Sequence, residues 1–155
     1  MTDREFLMLA VESCRKGVDN GQTPFAAIVV KDGRVVADTT NTVWRDTDPT
    51  AHAEVNAIRA AARALHTIDL SGCVMYTTTE PCPMCLSAIH WAKIDRVVYG
   101  ATIDDAAAAG FNELRFPARK LAQEGGSKLK VEQLNCSEAR ELFGYWKKSG
   151  KSGTY

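Results

Sequence analysis

Apolar residues recur at helical spacing near the start of the chain, where Phe6, Leu7, Leu9, Ala10, Val11 and Cys14 share one side, and the pattern stops around Gly17 to Gly21. The period then changes. Phe25 to Lys31 and Arg34 to Asp38 are rich in β-formers and flank Asp32-Gly33, a pair suited to a two-residue hairpin turn. Residues 53–65 return to helical spacing, Ala-rich with Val55, Ile58 and Leu65 on one side. Val74 to Thr79 reads as a strand. Pro81-Cys82-Pro83 opens a helix running to about Lys93, because proline at the first helical position gives up an N–H that would be unpaired anyway. Arg96 to Ala101 is another strand, Pro117 to Gln123 a short helix, and Leu129 to Leu134 a fifth strand. Ser137 to Lys148 forms the last helix, with Ser137 as its cap.

Strands alternating with helices after the hairpin imply a mixed sheet covered on both faces. The helical stretch before Leu129 lets the chain cross over, so the last two strands should run parallel. The prediction is an α/β fold, a three-layer α/β/α sandwich around a five-stranded mixed sheet. A chain of 155 residues suits one domain, 1–155. Its 45% apolar and 25% charged residues are the balance of a soluble globular protein. No apolar run approaches the roughly 20 residues that span a bilayer. Asp3, Arg4, Glu5 and Glu12 interrupt the first segment, which is therefore unlike a signal peptide and points to the cytoplasm.

The net charge is zero but unevenly placed: residues 1–114 hold 10 Lys/Arg against 15 Asp/Glu, and residues 115–155 hold 9 against 4. A basic end could meet nucleic acid, or it could be a solvated tail. The tail reading is preferred, because dedicated nucleic-acid binders usually carry a net basic domain. Five cysteines without a secretory signal argue against a disulfide framework and for metal binding or catalysis. Cys14, Cys73 and Cys136 read as small buried residues.

His52-Ala53-Glu54 and Pro81-Cys82-Pro83-Met84-Cys85 carry the chemistry. Two thiols at C-x-x-C spacing plus one imidazole make three good zinc ligands, and a site with three protein ligands keeps its fourth position for water. Both segments begin helices, whose positive N-termini favour thiolates. Glu54 lies two residues after His52. In a first turn both side chains can converge beyond the helix end, leaving Glu54 a non-ligand free to move protons. The plain alternative is a structural zinc site or no metal. Either half alone is weak, but H-x-E followed by P-C-x-x-C in order is the signature of zinc deaminases that activate water for attack on a base.

The sequence resembles the cytidine deaminase-like superfamily from about Phe6 to Trp146. Thr50-Ala51-His52-Ala53-Glu54 and Glu80-Pro81-Cys82-Pro83-Met84-Cys85 match its purine-acting branch. Within it the chain is most similar to bacterial guanine deaminases, with bacterial tRNA adenosine deaminases next. Pro24-Phe25, Asn41, Asp48-Pro49-Thr50, Ala88 to Ala92, Asp105-Ala106-Ala107 and Ala109-Gly110-Phe111 carry that likeness, as does the final aromatic, Tyr155. Where those enzymes commonly place an Asp after Gly-Phe, this chain has Asn112-Glu113, so Glu113 is the nearest equivalent.

The resemblance implies one Zn2+ per subunit on His52, Cys82 and Cys85, with Glu54 as the proton shuttle. It implies a small nucleobase substrate and a homodimer in which residues 137–155, a helix and tail, are exchanged so that Tyr155 closes the partner's pocket. Substrate contacts would come from Asn41, Phe25, Ala53, Glu113, Trp91 and Tyr155. Asn41 is otherwise a strand-end turn residue, Phe25 core, Trp91 helix packing and Glu113 a loop acid. Trp44 and Arg45 read as surface loop, and His66 and His90 as structural. Three functions compete: a nucleobase deaminase, with guanine ahead of cytosine or a nucleoside; a tRNA adenosine deaminase; and a non-catalytic zinc-stabilised module.

Overall fold

The computed structural model describes residues 1–155 and contains seven helices and five strands in the order α1 (Asp3–Asp19), β1 (Ala26–Lys31), β2 (Arg34–Thr40), α2 (Val43–Asp46), α3 (Ala53–Leu65), β3 (Cys73–Thr79), α4 (Pro83–Trp91), β4 (Arg96–Ala101), α5 (Ile103–Ala108), α6 (Ala118–Glu124), β5 (Lys130–Gln133) and α7 (Ser137–Ser149). Sheet order is β2-β1-β3-β4-β5. β1 runs antiparallel to both β2 and β3, whereas β3, β4 and β5 are parallel, as the crossovers require. Asp32 and Gly33 take φ of 49° and 74°, the paired positive values of the predicted hairpin turn, and Lys31 faces Arg34 across it. The ladder has one irregularity, between Val29 and Val30.

The inner strands are apolar on both sides because each side meets helices. Ala26, Ile28, Val30, Tyr76 and Val98 pack with Phe6, Leu7 and Val11 of α1 and Leu142, Phe143 and Trp146 of α7. Ala27, Val29, Met75, Val97 and Val131 pack with Ala57 and Ala61 of α3, Leu86 and Ile89 of α4, and Ala118 and Ala122 of α6. The result is the expected three-layer sandwich. Gly100 lets α7 lie close on β4: a Cβ there would stand 2.5 Å from that of Ala139.

Three local expectations change. Trp44 and Arg45 lie in the one-turn helix α2, not in a loop. Residues 103–108 form α5, opened by a capping box in which Thr102 Oγ1 accepts from the Asp105 N–H at 3.1 Å. The cap of α7 is Cys136, not Ser137, which is the first helical residue and bonds the neighbouring Glu138 carboxylate.

Candidate active site

Two helix starts meet at the ends of β2 and β3. His52 is the N-cap of α3 and Cys82 the N-cap of α4, and neither side chain caps its own helix. Both are therefore free to turn outward, while the unpaired first-turn N–H groups lend the space between them positive character. Pro83 fixes the first turn of α4, and Cys85 follows at its third position. His52 Nδ1 stands 3.7 Å from Cys82 Sγ and 3.5 Å from Cys85 Sγ. One ligand atom from each of the three lies within 4.8 Å of the others. Tetrahedral zinc, with Zn–S about 2.3 Å and Zn–N about 2.0 Å, sets such atoms roughly 3.5 Å apart, so the donors fit a metal as they stand.

The thiols are electrostatically unlike. A hydrogen bond from Cys85 stabilises the Cys82 thiolate and, with the His52 contact, outweighs burial to bring Cys82 down to about 4. Cys85, the donor of that bond and buried, is pushed up. The pair thus shares one proton, which a divalent cation would displace. Cys14, Cys73 and Cys136 are buried elsewhere and unpaired, as expected of packing residues.

Glu54, in the first turn of α3, is buried, and its carboxylate accepts from Cys85 Sγ at 3.5 Å. Burial, reinforced by the Cys82 charge, raises it to about 7. Glu113 is raised to about 7 by the same two causes in the same order. Asn41 is buried just past β2. Its Oδ1 accepts from the Val43 N–H at 3.1 Å, which turns Nδ2 inward as a donor.

These groups, with Phe25, Thr79 and Glu80, line one pocket, and Tyr155 occupies it. The tyrosine hydroxyl accepts from Asn41 Nδ2 at 2.6 Å, and its ring packs edge-on to Phe111 at 5.4 Å. The cavity left is about 20 Å³, room for a water but not for a base. A groove of about 220 Å³ adjoins it outside His52, Cys82 and Glu113. The tail is tied down throughout: Trp44 Nε1 donates to the Gly153 carbonyl at 2.9 Å, Trp146 Nε1 to Ser152 Oγ at 2.9 Å, and the Asn112 N–H to the Tyr155 carbonyl at 3.0 Å.

Of the residues predicted from sequence, His52, Cys82, Glu54, Asn41, Phe25, Glu113 and Tyr155 share this pocket, and Cys85 joins the donor set. Two do not reach it. Ala53 is fully buried among the apolar residues beneath the sheet. Trp91 ends α4 at 79% exposure; six residues past Cys85, it sits about 9 Å further along the axis and on another face. His66 terminates α3 in a left-handed conformation, and His90 bonds Ser127.

Within its motif, Glu80 carries no chemistry that the sequence assigns to it. Its buried carboxylate accepts from the Ile103 N–H and the Ala118 N–H, both at 2.9 Å, so it holds the first residues of α5 and α6. Between those helices runs the segment bearing Phe111 and Glu113. The only signal in the sequence was its place before Pro81-Cys82.

A His/Cys/Cys donor set at two converging helix starts, beside a buried glutamate on a mixed α/β sandwich, defines a class, the zinc-binding deaminases. Residues 1–101 match the cytidine and deoxycytidylate deaminase zinc-binding region, and the chain belongs to that family. Among its relatives, guanine deaminase of Bacillus subtilis (strain 168) is 48% identical over 114 residues, 73% of either chain. The tRNA-specific adenosine deaminase of Aquifex aeolicus (strain VF5) is 41% identical over 96 residues, 62% of this chain and 64% of that one. The solved guanine deaminase of Nitrosomonas europaea superimposes with a TM-score of 0.85 at 29% identity, covering 92% of this chain and 83% of that one.

Proposed function

We propose that this deaminase acts on guanine, with zinc, converting guanine and water to xanthine and ammonia. The observation that carries the reading is one small pocket in which an inward amide donor (Asn41), two raised carboxyls (Glu54 and Glu113) and aromatic walls (Phe25 and Tyr155) stand beside the three donors. His52, Cys82 and Cys85 would hold Zn2+, whose chemistry when bound is to polarise water and lower its pKa.

Glu54 takes a proton from the attacking water and delivers it to the ring nitrogen beside the reacting carbon. It then takes the second proton from the hydroxyl now on that carbon and passes it to the departing amine, which leaves as ammonia as the carbonyl forms. Asn41 Nδ2 donates to an acceptor on the base, and Glu113 accepts from adjacent N–H groups of a guanine-like edge. Phe25 supplies a flat contact for the ring. Tyr155, withdrawn from the place it occupies, closes over the base and excludes water. The active species is read as a homodimer with residues 137–155 exchanged, so that each tail closes its partner's pocket; exposed Trp91 and Leu114 supply apolar surface for such a contact.

The test is ammonia release from guanine, cytosine, adenine, guanosine and cytidine, with guanine expected to be turned over best. Tight tRNA binding that weakens steeply with salt, together with inosine formation, would replace this reading with the tRNA-editing one favoured by the basic segment 115–155.

A further inference from the structure

Among the buried side-chain oxygens and nitrogens of the chain, one has no hydrogen-bond partner: Thr79 Oγ1. Its surroundings make this unusual. Thr23 meets Tyr155, Thr39 donates to two carbonyls, Thr42 donates to Asp46, Thr77 donates to the Thr79 carbonyl, and Thr78 accepts from the Ala26 N–H. Buried hydroxyls are nearly always satisfied, and an orphan calls for a cause.

Thr79 is the last residue of β3, 5% exposed, and is among the residues that line the same pocket as Asn41, Glu54 and Glu113. Tyr155, the present occupant, bonds Asn41 and Thr23 but leaves Thr79 unmet. We propose that the Thr79 hydroxyl is a substrate-specificity group whose partner is the polar edge of the purine base. A hydroxyl can donate or accept, so it can meet either a ring nitrogen or an exocyclic group. Its β-branched side chain has few rotamers, so meeting the base costs it little further ordering. The inference deepens the guanine reading above and rests on it.

The experiment compares wild type with Thr79→Val, which keeps the shape and removes the hydroxyl, and Thr79→Ser, which keeps the hydroxyl. Each is measured as the metal-loaded protein for thermal melting, steady-state kinetics on guanine and xanthine affinity by calorimetry. Removing an unpaired buried hydroxyl should leave the ligand-free Val variant melting at or above wild type. Its KM for guanine and Kd for xanthine should both rise about 5-fold or more, with kcat little changed and the Ser variant near wild type. A packing residue would move melting down and spare the split between KM and kcat.

Wild-type KM and Kd in the Val variant overturn the proposal, because the partner is then only a water. A fall in kcat with Kd unchanged also overturns it, placing the hydroxyl on the attacking water. Should wild type ignore guanine, the guanine reading fails by itself. The same comparison is then made on whichever base of the panel wild type deaminates, where equal KM in wild type and Val sinks the Thr79 assignment.

Discussion

Glu54 and Cys85 touch at 3.5 Å, yet only the sulfur belongs to the donor set. Replacing Glu54 with Gln should therefore leave metal content and melting nearly unchanged while activity drops at least ~100-fold, the usual contribution of a general acid–base group. Metal analysis and kcat on the same preparation check this, and loss of metal would make Glu54 a ligand. Glu80 calls for the opposite pattern. With Glu80→Ala the N–H groups of Ile103 and Ala118 lose their shared acceptor, so stability should fall by roughly 1–3 kcal/mol in a urea melt. Hydrogen exchange over residues 103–118 should quicken with it. The difference between these residues also marks what the sequence reveals. His52, Glu54, Cys82 and Cys85 are legible because their chemistry follows from spacing within two short segments. Glu80 and Thr79 are not, because what defines them is a partner 23 and 38 residues away for one and a missing partner for the other. Trp91 misled for the reverse reason: membership of the right helix says nothing about how far along it the site lies.

Elements were legible in proportion to their length and periodicity. The hairpin declares itself in Asp32-Gly33, and the long helices in their apolar stripes. The four-residue α2 and six-residue α5 offer too few turns for a stripe, although Thr102 and Asp105 at box spacing were a readable start signal. Packing between elements adds a testable charge. Asp3, at the start of α1, accepts from Arg96 Nη1 at 2.9 Å and from Tyr76 Oη at 2.7 Å, so α1 is fastened to β4 and β3. The Arg96 hydrogen bond leads in holding the Asp3 carboxyl below its ordinary range. A depressed carboxyl contributes stability above its unfolded pKa of about 3.9, and that contribution fades as pH falls through the lower folded value. Asp3→Asn should thus be less stable than wild type at neutral pH, by a margin that holds down to about pH 4 and shrinks below it. Denaturant midpoints across pH 2 to 7 (about five units) check the sign.

At the scale of the molecule, two separate apolar cores flank the sheet, and the site sits where the strands end rather than inside either core. Its pieces come from distant segments, so the sheet order had to be right before the pocket could exist. The tail is the last of these pieces. A Ser- and Gly-rich end would ordinarily be loose, but four side chains and a backbone N–H hold it. Deleting residues 153–155 should keep metal and fold while lowering kcat/KM for guanine at least ~10-fold, about 1.4 kcal/mol of transition-state stabilisation. Unchanged kinetics in the truncated protein would return Tyr155 to an incidental contact.

On the proposed reading Tyr155, with its hydroxyl on Asn41, fills the place the base takes, so the tail must leave before the base enters and closes over it only afterwards. Access is then gated in time as well as in shape. The apparent affinity equals the intrinsic one scaled by the fraction of molecules whose tail is out. The rate of approach to equilibrium should climb with base concentration only until it matches the rate at which the tail leaves, and then level off. Stopped-flow traces should display that ceiling. Trp44→Phe, which frees the Gly153 carbonyl from the indole, should raise the ceiling without altering the initial slope at low concentration by more than the same factor. A rate that stays linear up to the solubility limit of the base would mean the door stands open.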